Sequence, residues 1–436
     1  MRLLPLLIVG NLLLFAVPSL AGAEPYGKMF VEEGGAWVDE APPGSLITVV
    51  PLATPEAEEL LQRLQERLEQ QEFSDGPYAM SLAETLDELA RAQEAMGAPE
   101  LARRSRERAL HLIRVNDGLY SPAQRPVLRA MLDSLRSEGD FEALDERYDY
   151  FYRLYGSGQP PWNDLRWGAT LEYLRWQREA LRRDLDSDPM NRLMRLHSLH
   201  EDLLENLRAS LPDVDYPKLK AATLSQLKSL YLIEDLIQPL PVFPERRVGF
   251  IRPDDPRDFN MQRERLENLQ RMLRGSGRTL LEDLLAITPA EDVRGRAELQ
   301  LALADWFQWL GSSREARVLY QGIWDALQAA GLGELATDWF SRPVPLPDNG
   351  VFWLSEGQGP EVGGGKEKGQ GPFVVSLDVR ENGRASAEVI SVPAMWQRST
   401  VRLQRLIAAT QFRPVVRDGQ VVAVENVYAR YLLFEP

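Results

Sequence analysis

The 436-residue sequence contains no cysteine and only three histidines. Without cysteine there is no disulfide, no thiolate nucleophile and no Cys-based zinc or iron–sulfur site. Three histidines leave little for metal or acid–base chemistry, so no catalytic residue, bound cofactor or metal is expected. Basic charge is short as well: 50 Lys and Arg stand against 65 Asp and Glu, a formal net charge of −15. Nucleic-acid binding is not expected of such a chain, because phosphate contacts need a clustered basic face. Long apolar runs are lacking beyond residue 20, so no later segment is expected to span a membrane. What is present is 44% hydrophobic and 26% charged residues, a globular balance that excludes wholesale disorder.

Met1 and Arg2 are followed by the apolar run Leu3–Leu20, the small residues Ala21-Gly22-Ala23, and then Glu24-Pro25. That layout predicts a secretory signal peptide over residues 1–23, cleaved after Ala23. Export to an oxidising compartment suits a chain without cysteine. The alternative is an uncleaved anchor, since residues 3–20 are just long enough to cross a bilayer; Asn11 and Pro18 weaken that span.

Residues 24–55 are rich in Gly and Pro and read as an irregular arm with two β-like stretches, Lys28–Val31 and Leu46–Val50. Over 56–340 the apolar period becomes helical, with Leu60, Leu61, Leu64 and Leu68 on one face. Breaks are expected at Ser74–Pro77, Gly97–Pro99, Ser121-Pro122, Gly139-Asp140, Gly156–Pro161, Leu211–Pro217, Pro239–Pro256 and Gly275–Gly277. Helices joined by short Gly, Pro and Asp breaks over about 280 residues describe an antiparallel array, a solenoid rather than a bundle.

Around Gly97 the apolar positions are Leu86, Leu89 and Ala90, then Ala102 and Ala109. Around Gly311 they are Leu303, Ala304 and Phe307, then Ala316, Tyr320 and Ile323. Around Gly139 a looser match has Met131, Leu132 and Leu135, then Leu144, Tyr148 and Phe151. Small residues stand where two helices must approach closely and large ones fill the gap between neighbours. These units resemble the tetratricopeptide repeat, with a degenerate centre from Trp162 to Leu285 and without the closing proline after Ala109 and Ile323.

From 341 to 372 the composition changes to Pro343, Pro345 and Pro347 and then a glycine-rich run, a flexible linker interrupted by Phe352-Trp353-Leu354. Beyond it the period becomes 2. Val375, Leu377 and Val379 alternate with Ser376, Asp378 and Arg380 as a half-buried strand. A turn at Asn382-Gly383, a strand Ala385–Val392, a helix Ser399–Thr410, the element Phe412-Arg413-Pro414, a turn at Asp418-Gly419 and a last strand Val424–Phe434 follow. The expected fold class is therefore multidomain, α then α+β: an antiparallel helical array followed by a β-β-α-β domain over 373–436.

The order and spacing of the Asn382-Gly383 turn, Phe412-Arg413-Pro414 and Asp418-Gly419 resemble the C-terminal domain of the TonB family, over about 64 residues. Ser391-Val392-Pro393 replaces the family's Ser-Ser-Gly, and a helical array replaces its Pro-rich spacer. The resemblance implies that an exposed edge strand accepts an extended peptide segment by strand addition. Val424, Asn426, Tyr428, Arg430 and Leu432 are the candidate partner-binding residues. The alternative is that the strand is covered by dimerisation or the helical array, or only closes the sheet. The implied partner is an envelope protein or extended segment, such as that of an outer-membrane protein, and the implied location is the periplasm. The expected function is a non-enzymatic adaptor; the alternative is an inner-membrane-anchored energy transducer of the TonB type. Residues 371–436 carry eight Arg against six acids, so the acidic remainder and this domain would attract each other.

Other motifs weigh less. His197, His200 and Glu201 share a helix and read as a solvated surface rather than a metal site, and His111 as a packed or surface residue. Ser225-Gln226-Leu227-Lys228 matches S-x-x-K without its companion motifs. Gly363–Lys366 lacks the pattern of a phosphate loop. Trp162, Trp167, Trp176, Trp306, Trp309 and Trp324 read as repeat core.

Overall fold

A computed structural model describes residues 29–32, 55–182, 185–186, 189–209, 215–237, 256–347, 373–392 and 399–434. The predicted signal segment, Leu46–Val50, residues 348–372 with Phe352–Leu354, and the break over 238–255 lie outside those residues. The chain is mostly helical, with a small antiparallel sheet region at its C-terminal end.

The array begins with α1 (Pro55–Asp75), α2 (Leu82–Ala95), α3 (Pro99–Asp117), α4 (Arg125–Glu138) and α5 (Phe141–Leu154). It continues with α6 (Asp164–Arg182), α7 (Pro189–Arg208), α8 (Tyr216–Ile237), α9 (Pro256–Ile287), α10 (Val293–Trp309), α11 (Ser313–Ala329) and α12 (Gly333–Phe340). The glycine turns form as the sequence predicts. Gly97, Gly139 and Gly311 all take positive φ, between 73° and 86°, a region that glycine enters without steric cost. At the α4–α5 junction one dipeptide both stops and starts a helix. Gly139 ends α4 in the left-handed region, and the Asp140 side chain then accepts the Ala143 N–H to cap α5.

Most of the small and large apolar residues of the glycine-turn hairpins are buried, with Phe307 half-buried. Ala90, Ala102, Ala109, Ala304 and Ala316 are fully buried, as are Leu86, Tyr148, Phe151, Tyr320 and Ile323. Trp176 and Trp306 are core, while Trp162, Trp167, Trp309 and Trp324 are half-buried against it.

Ion pairs show how successive hairpins stack. Arg147 on α5 reaches back to Glu107 on α3, Arg129 and Arg136 on α4 reach Glu172 and Glu179 on α6, and Arg192 on α7 reaches Asp145 on α5. Each link joins a helix to the next but one. That is the neighbour relation of a solenoid, in which every hairpin packs mainly on the following one.

The break expected at Gly275–Gly277 does not occur; α9 runs through it. A Cβ on Gly277 would collide with the Trp306 indole of α10. The glycine therefore serves close helix–helix approach rather than termination, and the Trp306 Nε1–H donates to the Arg274 carbonyl at 3.3 Å across that contact.

The sheet region comprises β1 (Met29–Glu32), β2 (Val344–Pro345), β3 (Phe373–Val379), β4 (Ala385–Ser391), the helix α13 (Thr400–Ala409), β5 (Phe412–Arg413), β6 (Val415–Arg417), β7 (Gln420–Val422) and β8 (Val424–Phe434). The main sheet has the order β1-β8-β3-β4, all antiparallel. Phe373, Val375, Leu377 and Val379 bury one face against Leu403 and Ile407 of α13, as the period-2 pattern requires. Pro343–Pro347, expected to open a flexible linker, are instead buried: β2 pairs β5, and the Leu346 N–H donates to the Gln411 carbonyl.

Candidate strand-addition edge and its seat on the array

β8 is the strand expected to present a free edge, and part of that edge is already occupied. Its inner side pairs with β3 from Val424 to Tyr431. Its outer side pairs with β1 over four residues, Met29 opposite Phe434 through Glu32 opposite Tyr431. Leu432 therefore lies in an occupied stretch, opposite Val31. Met29–Glu32, overlapping the β-like stretch expected in the arm, is the strand that covers it.

A bulge limits the other end. Leu377 pairs Val427 and Val379 pairs Val424, so Glu425 and Asn426 together oppose Asp378 alone. Asn426 has φ 57°, and its N–H donates to the Asp378 carboxylate at 3.0 Å. Asparagine tolerates this left-handed conformation, and the extra residue shifts the alternation of side chains. In consequence Val424 is buried, while Asn426, Tyr428 and Arg430 are exposed. Of the candidate partner-binding residues, Val424 is thus turned into the core. Beyond β1, no described strand pairs with the outer side of Val427–Ala429. Tyr428 is the most prominent side chain there, 69% exposed.

The domain that carries this edge sits on the last helices of the array. Arg413, from the Phe412-Arg413-Pro414 element, is 5% exposed and makes a two-pronged ion pair with Asp305 of α10, Nε to Oδ1 at 3.0 Å and Nη2 to Oδ2 at 2.6 Å. The Tyr320 hydroxyl of α11 donates to the same carboxylate at 2.9 Å. Burial, with the Asp305 charge beside it, pushes the Tyr320 phenol far above its ordinary value. The Asn382 carbonyl accepts from Gln308 Nε2 at 2.6 Å and from Ser313 Oγ at 3.0 Å. A Cβ on Gly383 would strike both Gln308 and the Phe412 carbonyl. Val416 and Val421, on the β6–β7 hairpin around Asp418-Gly419, complete one apolar cluster with Ala304, Ala316, Tyr320, Ile323 and Phe340. The turns that identify the domain in the sequence are thus its seat on the array.

Sequence reasoning missed Asp305 and β1's role. The signal for Asp305 was an acid inside the apolar run Leu299–Leu310, where a buried partner is required.

The remaining candidates lie elsewhere. His200 is fully buried, not on a solvated surface; its Nδ1 contacts the Leu196 carbonyl and its Nε2 the Ser225 hydroxyl at 3.1 Å. Burial pulls its imidazole down to about 3. His197 pairs with Glu201 at 3.2 Å, so the two histidines do not converge. Ser225 also accepts from Arg178, at 3.1 Å. A serine–histidine contact exists here, but at 7% and 0% exposure neither group meets a substrate. His111 meets the Tyr78 ring edge-on.

No protein-family model and no curated protein matches this chain.

Proposed function

We propose that the chain is an exported, non-enzymatic adaptor of a cell envelope, which captures an extended segment of a partner protein by strand addition at β8. The observation that carries this reading is the β1–β8 pairing: a strand from a distant part of the chain has already been added to this edge, antiparallel and without a connecting turn. The TonB-like order of turns in 373–436 supports it, and so does the tetratricopeptide-like array, an architecture whose repeat faces hold proteins and peptides. Large apolar side chains exposed near the start of the array, Phe73, Tyr78, Leu119 and Tyr120, offer a second contact region. Cleavage after Ala23 would place the protein in the periplasm with only Glu24–Lys28 ahead of β1.

The seat on α10–α12 gives the proposal a mechanical form. The edge is carried by a domain that packs on the last helices of the array, so one molecule presents both contact regions. A lysine on an edge strand opposes strand addition. Tyr428→Lys in the full chain should keep its circular dichroism and lose its partners in a cross-linked envelope pull-down. An unchanged partner set would contradict the reading.

A further inference from the structure

We propose that the turns joining α1 to α2, α3 to α4 and α5 to α6 form one rim that docks on an anionic lipid surface. Its aromatic and aliphatic side chains would enter the interfacial layer, and its unpaired arginines would meet lipid phosphates. This gives the second contact region named above its ligand, and it does not depend on strand addition at β8.

Consecutive helices of the array run antiparallel, so these three turns come to the same end of it. Direct contacts tie them side by side. The Asn116 side chain, at the end of α3, donates to the Tyr78 carbonyl at 2.9 Å. The Tyr150 hydroxyl, near the end of α5, donates to the Leu119 carbonyl at 2.8 Å. Arg125, which opens α4, stacks over the Tyr155 ring at the α5–α6 turn, 4.8 Å from its centroid.

Six of the fifteen exposed large apolar residues among the described ones stand on this rim. They are Phe73, Tyr78, Val115, Leu119, Tyr120 and Leu165, each more than half exposed. Such residues scattered singly need no explanation, but a group of six does. Phe73, 95% exposed, projects from the protein and lines no groove, which suits a fluid layer better than a shaped peptide. Tyrosine, with an apolar ring and a polar hydroxyl, suits the level of the headgroups.

The charges of the rim agree with that ligand. Arg114, Arg125, Arg153 and Arg166 have no ion pair. Glu72 is paired with Arg108, and Asp75 is held by the Ser74 and Ser81 hydroxyls. Asp117 and Asp164 are exposed. Four unpaired arginines therefore stand against the three aspartates Asp75, Asp117 and Asp164, a positive excess on a chain of net charge −15. Anionic headgroups attract basic side chains held at their surface.

The absence of cysteine allows a single label to be placed. The chain is used without residues 1–23, whose apolar run would itself enter a bilayer. Tyr120→Cys carries an environment-sensitive fluorophore. Leu101→Cys, exposed at the far end of α3 and roughly 25 Å away, carries the control. Vesicles of phosphatidylethanolamine and phosphatidylglycerol should shift the emission at position 120 to the blue and leave that at 101 unchanged. Co-sedimentation with the same vesicles should weaken about tenfold or more in Phe73→Ser with Leu119→Ser. It should weaken about fivefold in Arg153→Gln. Both variants should keep the wild-type circular dichroism, because the replaced side chains are exposed. Tyr428→Lys should leave vesicle binding unchanged, so this surface and the β8 edge fail separately. No shift at 120, equal shifts at both positions, or undiminished sedimentation of the Phe73 and Leu119 variant would overturn the proposal. So would loss of protein adducts from that variant in envelope cross-linking while the wild type ignores vesicles, which would assign the rim to a protein partner.

Discussion

Gly277 and His200 carry more structural information than their residue types disclose. Alanine is the better helix former by roughly 1 kcal/mol, yet Gly277→Ala should destabilise the protein, because its methyl group would enter the Trp306 ring. Urea unfolding should show a lower midpoint, and a raised midpoint would mean that α9 and α10 are not so closely packed. His200 sets a pH dependence. Its folded value, about 3, lies below the ordinary 6.5, so between those values the unfolded chain holds a proton that the folded chain does not. Its contribution is therefore present above pH 6.5 and lost as pH falls through that window. His200→Gln should flatten the loss of stability over it, measured by unfolding at a series of pH values. Asp133 acts with the opposite sign: burial pushes its carboxyl up to about 6, so it costs stability as pH rises through 6. The sequence showed that His200 was on a helix but not which way it faced. Its partner Ser225, on another helix, comes from packing that no local pattern encodes.

Helices and strands were more legible than side chains. The Gly97, Gly139 and Gly311 hairpins could be read because positive φ, small residues and periodicity all agree there. The Asn382-Gly383 turn and the long last strand were legible for the same reason. The Gly275–Gly277 break was not, since a glycine that ends a helix and one that admits a tryptophan look alike in one dimension. The stacking of hairpins was also hidden, because Arg136 and Glu179 are far apart in sequence and ordinary in composition. That pair is almost completely buried, with bonds of 2.7 and 2.9 Å. Arg136→Ala should cost about 3–5 kcal/mol, because the buried Glu179 carboxylate would lose its two-pronged partner, while Arg175 at 3.6 Å is a more distant one. Replacing both partners by apolar residues of similar volume should cost far less. Equal losses in the single and double variants, by chemical denaturation, would show that the link between α4 and α6 is not electrostatic.

At the scale of the whole molecule, the linker expected over 341–372 had implied a tethered, independent C-terminal domain. The described start of that segment is buried against β5 instead, and Arg413 and Val416 place the domain on the array. Composition misled here because proline-rich sequence marks extended backbone whether or not it is packed. Arg413→Ala should release the seat: hydrogen exchange should rise over 412–422 while Phe373–Val379 stay protected. Removal of 371–436 would strip Val416 and Val421 from the cluster they share with α10–α12, so single substitutions are the cleaner probes.

The central claim is that the β8 edge around Tyr428 receives a partner's extended segment. The most direct measurement is photo-cross-linking in cells from a reactive residue replacing Tyr428, with Glu388 on β4 at the far edge of the same sheet as the control. The expected result is adducts at Tyr428 to one contiguous segment of an envelope protein, identified by mass spectrometry, and none at Glu388. Adducts equal at both positions, or none at Tyr428, would contradict it.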